Sequence, residues 1–515
     1  MTRNTFSKRL AKNLAWKEWD WMIWSVIALT IIGSFFRFYK LSETVMFLGD
    51  QGRDAIVVSR IFTHLDPVFI GPVTSVGNMY LGPAYYYFML PFLWLTYPSP
   101  MGPVYAIALL GTLLIPMTFI LGSRMIGRRA ALLASTFVTF SSSAIGLSRF
   151  SWNPNPMPLV GLIWFYCLYC AASGKRWYWI GVAITLAILL QLHYITFLAV
   201  ATSGLVWVGL LVKQRHNNQW KQLIIPSVIA LGIVLLFQFP LILFDARHDW
   251  LNARQFTKLL NGKDAFASDR TGSERLAQIM YTSQARLIQL LVRITFEIRS
   301  KWEIYIAFTT LLSAIVLWMR EKRSSIKLAI QILLLTILVS LIGLSVYKND
   351  VYLHYLGFLL PLVFLLFAYI LDSLIRVRKS LLVVVIGVML AFLWLNVAAY
   401  TFQGGGPRLP MLAATAAAIH ERVGEGEPYT IMLISESNDL YGMNYRYFLT
   451  TNPRKEPLDP EHFGEAKKMF VLWENKAVLE PLSLPLYELQ VFDVATPSAS
   501  FDIPDGPTVL ELSKE

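Results

Sequence analysis

The stretch FLGDQGRDA, residues 47–55, places two carboxylates and one guanidinium within five positions, at Asp50, Arg53 and Asp54. A carboxylate can act as a general base, and a neighbouring acid or arginine can orient it or hold a charged substrate. Two structural alternatives stay open. Asp50 could cap the helix that the following apolar residues predict, and Asp54 could pair locally with Arg53 or Arg60.

Residues capable of chemistry recur in four later stretches, each between two apolar segments. These stretches are RFSWNPNPMP at 149–158, QLHY at 191–194, FDARHDWLNARQF at 244–256 and YKNDVYLHY at 347–355. With the first stretch they supply the substrate-binding candidates Arg53, Arg149, Asn153, Asn155, His193, Tyr194, Arg247, His248, Arg254, Lys348, His354 and Tyr355. His193 and His354 have a structural alternative as satisfied histidines at helix ends. Tyr85, Tyr86 and Tyr87 are interpreted as interfacial aromatics rather than substrate contacts.

The elements that must position these residues are membrane spans. Of the 515 residues, 55% are hydrophobic and only 15% are charged, which is typical of a chain whose main solvent is lipid. A span needs about 17 to 25 apolar residues. Eleven segments qualify, near 20–37, 104–122, 130–148, 157–172, 177–192, 194–212, 222–244, 303–319, 328–346, 355–371 and 381–400. The sequence therefore predicts an α-helical polytopic membrane protein.

Short loops rich in Lys and Arg alternate with the other loops between these spans. Because positively charged loops are retained in the cytoplasm, this pattern places residues 1–19 in the cytoplasm and the C-terminus outside the plasma membrane. It makes 38–103 and 245–302 the two long outer loops. The net charge of +12 follows from the topology, so it does not indicate nucleic-acid binding. Cys167 and Cys170, within one span, are expected to be small packing residues rather than a redox or metal pair.

The two faces of the predicted bundle differ in chemistry. The inner loops are short and basic, whereas the five chemical stretches all fall on the outer side. Transporters usually have polar or Gly/Pro-broken spans at the midplane, but spans 328–346 and 381–400 contain no charged residue. This favours an enzyme acting where lipid meets water. A transporter or flippase for a lipid-linked saccharide is the alternative, and a non-enzymatic envelope scaffold is a third class that leaves the one-sided clustering unexplained.

The order and sidedness of GDQGRDA, SWNP, QLHY and the late HY pair resemble the polytopic GT-C glycosyltransferases over roughly residues 15–400. The resemblance is to a bacterial branch of the family 39-like transferases, which include protein O-mannosyltransferases and lipid A aminoarabinose transferases. The acidic motif of that family, in the first outer loop, maps onto Asp50. Gln51 replaces the usual Glu, and Asp54 stands where relatives carry an aromatic residue. Loop two has Asn153 and Asn155 where relatives often carry an Asp.

The resemblance implies a glycosyltransferase that moves a hexosyl or pentosyl group, with inversion, from a polyprenyl-phosphate donor to a lipid, glycan or protein acceptor. Asp50 would be the general base, with Asp54 as a possible second catalytic carboxylate, and outer-face cations would meet the phosphate. No cofactor is required by this reading. A divalent metal on Asp50, Asp54, His193, His248 and His354 is the competing use of these side chains, although no tight ligand spacing supports it.

Beyond Tyr400 the composition changes. GGGPRLP indicates a linker at 401–410, and the following MLAATAAAIHERV predicts a helix. YTIMLISE, KKMFVLWE, LYELQVFD and TVLELSK are interpreted as strands. Residues 411–515 are therefore expected to form a small extracytoplasmic α/β domain, attached to a GT-C-like transmembrane domain at 20–400.

Overall fold

The computed structural model describes residues 21–74, 79–216, 220–261, 272–347, 350–400, 402, 408–436, 439–478, 480–492 and 497–514. The predicted cytoplasmic segment 1–19, Lys348 and most of the predicted linker 401–410 lie outside these described residues.

Helices occupy all eleven predicted spans. Within the described residues, eight helices are long and apolar enough to cross a membrane. They are Trp21–Phe38, Met101–Ile126, Tyr194–His216, Lys221–Arg247, Glu303–Arg320, Ser324–Val346, Leu360–Val377 and Lys379–Ala399. The other three predicted spans are shorter helices, Arg128–Phe140, Met157–Ala172 and Tyr178–Leu192. The predicted polytopic helical architecture is confirmed.

Burial sorts these helices into a centre and a periphery. Leu360–Val377 has 78% of its residues buried inside the protein, as expected for a helix surrounded by other helices, and its Asp372 is held in ion pairs with Arg129 and Arg376. Lys221–Arg247 has no buried residue in its most apolar 18-residue stretch, so this helix lies at the periphery of the bundle. Cys167 and Cys170 are buried free thiols within Met157–Ala172, in agreement with the packing role expected for them.

Contacts at the basic ends of the spans join loops that the charge pattern places on one side. Arg129 forms an ion pair with Asp372, and Arg176 Nη1 donates to Gln222 Oε1 at 3.2 Å. The basic loops therefore share one face of the bundle, and the polar stretches share the other.

The two long loops that carry polar stretches contain further helices in their described residues. Loop one contains Leu41–Thr44, Gly49–Thr63 and Ala84–Thr96, and loop four contains Leu251–Asn261, Gly272–Ile288, the π-helical turn Gln289–Arg293 and Ile294–Phe296. Two further short pieces, Ser142–Gly146 and the 3₁₀ turn Leu353–Leu356, lie at the ends of spans. We call Gly49–Thr63 the rim helix and Ala84–Thr96 the tyrosine helix. Between them, the Gly71 N–H donates to Leu81 O at 2.7 Å, which pairs the two described arms of the loop-one hairpin, 71–74 and 79–82.

The C-terminal region is an α/β domain. Its strands are β1 (Tyr429–Ile434), β2 (Lys468–Trp473), β3 (Ala499–Asp502) and β4 (Thr508–Ser513), in the order β1-β2-β4-β3. Strands β1 and β2 are parallel, and the other pairs are antiparallel. The helices are Leu409–His420, Met443–Leu449 and Tyr487–Phe492, with 3₁₀ turns at Pro460–Glu465 and Pro481–Ser483. We call Met443–Leu449 the docking helix.

One predicted strand of this domain is wrong. LYELQVFD is not a strand, because its residues Tyr487–Phe492 form a helix. Leu489 and Phe492, three positions apart, are buried, whereas Tyr487 and Val491, which a strand would place on the same face as Leu489, are exposed. Strand β3 at Ala499–Asp502 was not predicted, because its side chains are mostly exposed and carry no apolar alternation.

Candidate functional site

The rim helix begins at Gly49, directly after an apolar segment. Leu48 is the N-cap residue, and its backbone N–H donates to the Gln51 side-chain carbonyl at 2.6 Å. Asp50 therefore lies inside the first turn and does not cap the helix. The capping alternative for Asp50 is wrong, and its carboxylate is available for other contacts.

Four side chains, which we call the rim cluster, meet on the rim and tyrosine helices: Asp50, Arg53, Asp54 and Tyr86. Arg53 Nη1 lies 2.9 Å from Asp50 Oδ1, and Arg53 Nη2 lies 2.9 Å from Asp54 Oδ1. The Tyr86 hydroxyl donates to the same Asp54 oxygen at 3.2 Å. The side chain of Asp50 is 43% exposed, whereas that of Asp54 is 1% exposed. Asp50 is thus the carboxylate that a substrate can reach.

Asp54 has an unusual electrostatic environment. Burial raises its pKa from 3.8 to about 6, although Arg53 and the Tyr86 hydroxyl oppose that shift. Its second oxygen, Oδ2, is buried and has no hydrogen-bond partner among the described residues. A carboxylate in these surroundings holds Arg53 in place and is poorly accessible to an acceptor.

The tyrosine helix connects the rim cluster to loop two. Tyr85, next to Tyr86, is buried and its hydroxyl lies 2.7 Å from Ser151 Oγ. Beyond Ser151, the Asn153 Nδ2 donates to Leu192 O at 2.7 Å and the Asn155 Nδ2 donates to Phe150 O at 2.7 Å. Both predicted amides are buried. Their N–H groups shape loop two, so substrate contact by these amides stays a prediction.

Loops two, three and five meet in a second group, which we call the imidazole cluster: Trp152, His193, His354 and Tyr355. The His354 ring centroid is 4.4 Å from that of Trp152 and 4.5 Å from that of Tyr355. The His193 ring is 4.5 Å from Tyr355 and 6.1 Å from His354. Residues about 200 positions apart in the chain thus form one patch. Its Trp152 follows Ser151, which contacts Tyr85, the neighbour of Tyr86 in the rim cluster.

Both histidines of this cluster are neutral at pH 7. Burial, followed by the charge of His354, lowers the pKa of His193 to about 3, and burial lowers the pKa of His354 to about 4. The Ile195 N–H donates to His193 Nδ1 at 3.1 Å, which places the proton of the neutral ring on Nε2. A neutral imidazole cannot pair with a phosphate as a cation. It can donate a hydrogen bond to a sugar hydroxyl or accept one from it.

Two other predicted residues make backbone contacts. Arg149 donates to Phe36 O at 2.9 Å, to Tyr39 O at 3.0 Å and to Thr44 Oγ1 at 2.5 Å. The Tyr194 hydroxyl donates to Tyr80 O, which fixes the end of the loop-one hairpin. The structure gives both side chains positioning roles at the ends of the spans next to the polar stretches.

The predicted cations of loop four are more open. Arg247 and Arg254 are exposed at the end of the long span Lys221–Arg247 and on the helix Leu251–Asn261. His248 is also exposed, and its Nδ1 lies 2.7 Å from Phe244 O. This loop is tied to loop one because the Tyr80 N–H donates to Asn252 Oδ1 at 2.8 Å.

The C-terminal domain contributes residues that the sequence did not identify. The Asn444 Nδ2 donates to Phe47 O at 3.3 Å, the Tyr447 hydroxyl donates to Pro98 O at 2.9 Å, and Arg60 forms a 3.0 Å ion pair with Asp459. The docking helix therefore packs against the rim helix, on the face of the bundle that carries the polar stretches. The only sequence signal for this contact is the pair Gly49 and Gly52, whose spacing permits close approach of a second backbone.

The residues considered as metal ligands do not come together. Asp50 and Asp54 belong to the rim cluster, His193 and His354 to the imidazole cluster, and His248 to the exposed end of a span. Across the described ranges, no three His, Cys, Asp or Glu side chains are grouped so that they could hold a metal ion. This donor set does not fit a metal, so no step below is assigned to one.

Sequence comparison finds neither a matching protein-family profile nor a matching curated protein. The fold does match solved structures. ArnT from Cupriavidus metallidurans, solved bound to undecaprenyl phosphate, has a TM-score of 0.58 and 13% identity over 95% of this chain and 98% of that chain.

Two structures of an Archaeoglobus fulgidus oligosaccharyltransferase also match. The complex with Zn and sulfate has a TM-score of 0.52 and 11% identity over 87% of this chain and 68% of that one. The AglB complex with an inhibitory peptide and a dolichol-phosphate has a TM-score of 0.50 and 11% identity over 89% and 70%. ArnT and AglB are both GT-C proteins, so the chain has the GT-C fold that the resemblance predicts.

Proposed function

We propose that this GT-C-fold protein is a membrane glycosyltransferase that moves a sugar from a polyprenyl-phosphate donor to an acceptor hydroxyl. The observation that carries the proposal is Asp50, an exposed carboxylate held by Arg53 at 2.9 Å in a rim cluster that Tyr85 and Ser151 connect to the imidazole cluster. The fold supports it, since structures of the same fold were solved with undecaprenyl phosphate and with a dolichol-phosphate.

In this mechanism Asp50 is the general base. Its carboxylate takes the proton of the acceptor hydroxyl as that oxygen attacks the anomeric carbon of the donor. The bond between the anomeric carbon and the phosphate oxygen breaks, and its electron pair leaves with the polyprenyl phosphate. Attack and departure occur on opposite faces, so the configuration inverts. Arg53 holds Asp50 in place, and Asp54 and Tyr86 hold Arg53.

The leaving phosphate needs cations whose charge is available. Arg53 is paired with two carboxylates, Arg149 is bound to backbone oxygens, and burial keeps His193 and His354 neutral. The exposed Arg247 and Arg254 are therefore the described members of the predicted set that best suit this role. The guanidinium group can make forked contacts to phosphate oxygens. Lys348, outside the described residues, stays a further candidate.

The imidazole cluster is assigned to the sugar. Aromatic rings such as Trp152 and Tyr355 provide apolar faces for the ring carbons. His193 and His354 provide neutral hydrogen-bonding groups for the hydroxyls, which orient the anomeric carbon toward Asp50.

Transfer of radiolabelled sugar from a polyprenyl-phosphate donor by the purified full-length protein tests the proposal. Label should appear in the acceptor fraction, with release of polyprenyl phosphate in equal amount. Movement of the intact donor across a vesicle membrane without cleavage would instead identify a lipid-linked saccharide flippase.

The orientation belongs to the same proposal: a plasma-membrane protein with a cytoplasmic N-terminus and an extracytoplasmic C-terminal domain. The support is the Lys and Arg rhythm of the loops. A reporter that is active only in the cytoplasm, fused after Glu515, should be silent. An active fusion would place the rim cluster on the cytoplasmic side and contradict this orientation.

A further inference from the structure

Two glycines of the rim helix lie against the C-terminal domain rather than open space. A Cβ on Gly49 would lie 2.2 Å from Asp439 Oδ2. A Cβ on Gly52 would lie 2.3 Å from Met443 O and 2.5 Å from the Asn444 backbone. At Gly52 the obstacle is backbone, which cannot rotate away. The space beside these two glycines is therefore filled by the C-terminal domain. The glycines let a second domain touch the first turn of the rim helix.

The segment Asp439–Asn444 is itself held firmly. The Met443 N–H donates to Asp439 Oδ2 at 2.9 Å, so this carboxylate stabilises the start of the docking helix. Gly442 has a φ of 56°, a left-handed conformation that suits glycine and turns the chain into the helix. Asn444, buried, donates to Phe47 O in the residue pair just before the rim helix. Tyr447 and Phe448 pack edge-on against the Phe47 ring, at centroid distances of 5.7 and 6.0 Å.

The charge of Asp439 also acts at this contact. Burial raises its pKa, the hydrogen bonds from backbone N–H groups oppose that change, and the nearby charge of Asp50 raises it further. Like charges on Asp439 and Asp50 repel each other. Arg53 Nη1 lies 2.9 Å from Asp50 Oδ1 and attracts it, so repulsion from Asp439 and attraction by Arg53 act together to set the direction of the Asp50 side chain.

We propose that Asp439–Asn444 is a clamp from the C-terminal domain that fixes the first turn of the rim helix, with Asp439 as a positioning residue for Asp50. The C-terminal domain is then a component of the active site rather than a separate accessory unit. This inference rests on the proposed role of Asp50 as general base, and it assigns the clamp no contact with the reacting atoms.

Kinetics of Asp439→Asn provide the first test, because the amide keeps the shape and an oxygen acceptor while removing the charge. Misplacement of a catalytic group by about 1 Å can cost on the order of 10²-fold in rate. We expect kcat to fall by roughly 10-fold to 10²-fold while KM for the polyprenyl-phosphate donor stays within about twofold. Asp439→Glu should recover part of the lost kcat. Glu425→Gln, which removes an exposed carboxylate that pairs with Arg454 of the same domain, is the matched control and should keep wild-type kcat.

Gly52→Ala provides the second test, because its Cβ would meet backbone. Gly464→Ala is its control, since the added Cβ there meets only Val491 at an ordinary 3.7 Å. Hydrogen–deuterium exchange measured by mass spectrometry on the full chain should show faster exchange of residues 47–54 in Gly52→Ala and Asp439→Asn, and no change in Gly464→Ala.

The two readouts separate failure of the clamp from failure of the proposed function. If the wild-type protein transfers no sugar but residues 47–54 still exchange faster in Gly52→Ala and Asp439→Asn than in wild type, the clamp is supported and the proposed transferase is overturned. An active wild type whose Asp439→Asn variant keeps both its kcat and its exchange rates would overturn the clamp. A fall in kcat accompanied by unfolding of the C-terminal domain, seen as faster exchange throughout 409–514, would reduce Asp439 to a structural residue and also overturn the positioning role.

Discussion

The rim cluster and the imidazole cluster are connected through Tyr85 and Ser151 but differ in charge and in how the chain builds them. The rim cluster is charged, and three of its four members come from one short motif, with Asp50 43% exposed. The imidazole cluster is neutral and is assembled from three loops, and its ring contacts lower the histidine pKa values through burial. The difference suggests a division of labour, in which one cluster handles the proton and the other holds an uncharged ring.

Removal of the exposed carboxylate should have the largest effect. Asp50→Asn keeps the size of the side chain and disturbs no cap, but it removes the base, so turnover should fall by a factor on the order of 10² or more. Thermal stability should stay near wild type because the residue is exposed. Transfer assays and thermal unfolding of the same preparation check this prediction. Full activity of Asp50→Asn would contradict the division of labour between the two clusters, since the rim cluster would then have no role in proton transfer.

Removal of the buried carboxylate should cost less activity and change the pH dependence of stability. Asp54→Asn keeps the hydrogen bond from Tyr86 but weakens the hold on Arg53, so turnover should fall by roughly tenfold. The pKa of Asp54 is raised from 3.8 to about 6, so its protonated form contributes stability that is fully present below pH 3.8 and is lost as the pH rises through about 6.

Thermal unfolding measured between pH 3.8 and about 6 checks this direction of the pH dependence of stability. Wild type should lose stability relative to Asp54→Asn as the pH rises from 3.8 to about 6. Parallel curves for the two proteins would show that Asp54 titrates normally. A loss of turnover as large as that of Asp50→Asn would make the two acids a functional pair.

Substitutions in the imidazole cluster should have smaller effects that do not depend on charge. His354→Ala removes a ring packed on Trp152 and Tyr355, and we expect donor affinity to weaken by about threefold to tenfold, the order of one or two lost hydrogen bonds or ring contacts. Because the pKa of His354 is about 4, titration of this ring should not change the donor affinity of wild type between pH 5 and pH 8. A change of affinity with pH in wild type that is absent from His354→Ala would identify His354 as a phosphate-binding cation.

Arg149 should matter least for the reaction. Hydrogen bonds of charged groups contribute about 1.5 to 3 kcal/mol each, so loss of its contacts to Phe36, Tyr39 and Thr44 should lower the free energy of unfolding by on the order of 3 kcal/mol. Donor affinity of the folded Arg149→Lys protein should stay within about twofold of wild type. A large loss of donor affinity in Arg149→Lys with unchanged stability would show that Arg149 binds the substrate.

The sequence by itself determined the features that depend on local composition. The lengths of the apolar segments predicted the positions of all eleven helices, because the thickness of the bilayer imposes that length on each span separately. The motif GDQGRDA predicted the charged part of the site, since its residues lie within one or two turns of a single helix. The i, i+3 spacing of Asp50 and Arg53 already implies their contact on one face of the helix. The contact of Arg53 with the adjacent Asp54 does not follow from this spacing.

Only the tertiary structure decided which carboxylate is exposed and what surrounds it. Asp50 and Asp54 are equally polar in the sequence, and Asp54 is buried because the tyrosine helix covers it with Tyr86. Likewise, Asp439 reaches the rim helix from 390 positions away, a contact that no local periodicity encodes. Packing between elements, rather than the propensity of any one of them, sets these relations, because burial and electrostatic environment depend on which surfaces finally meet.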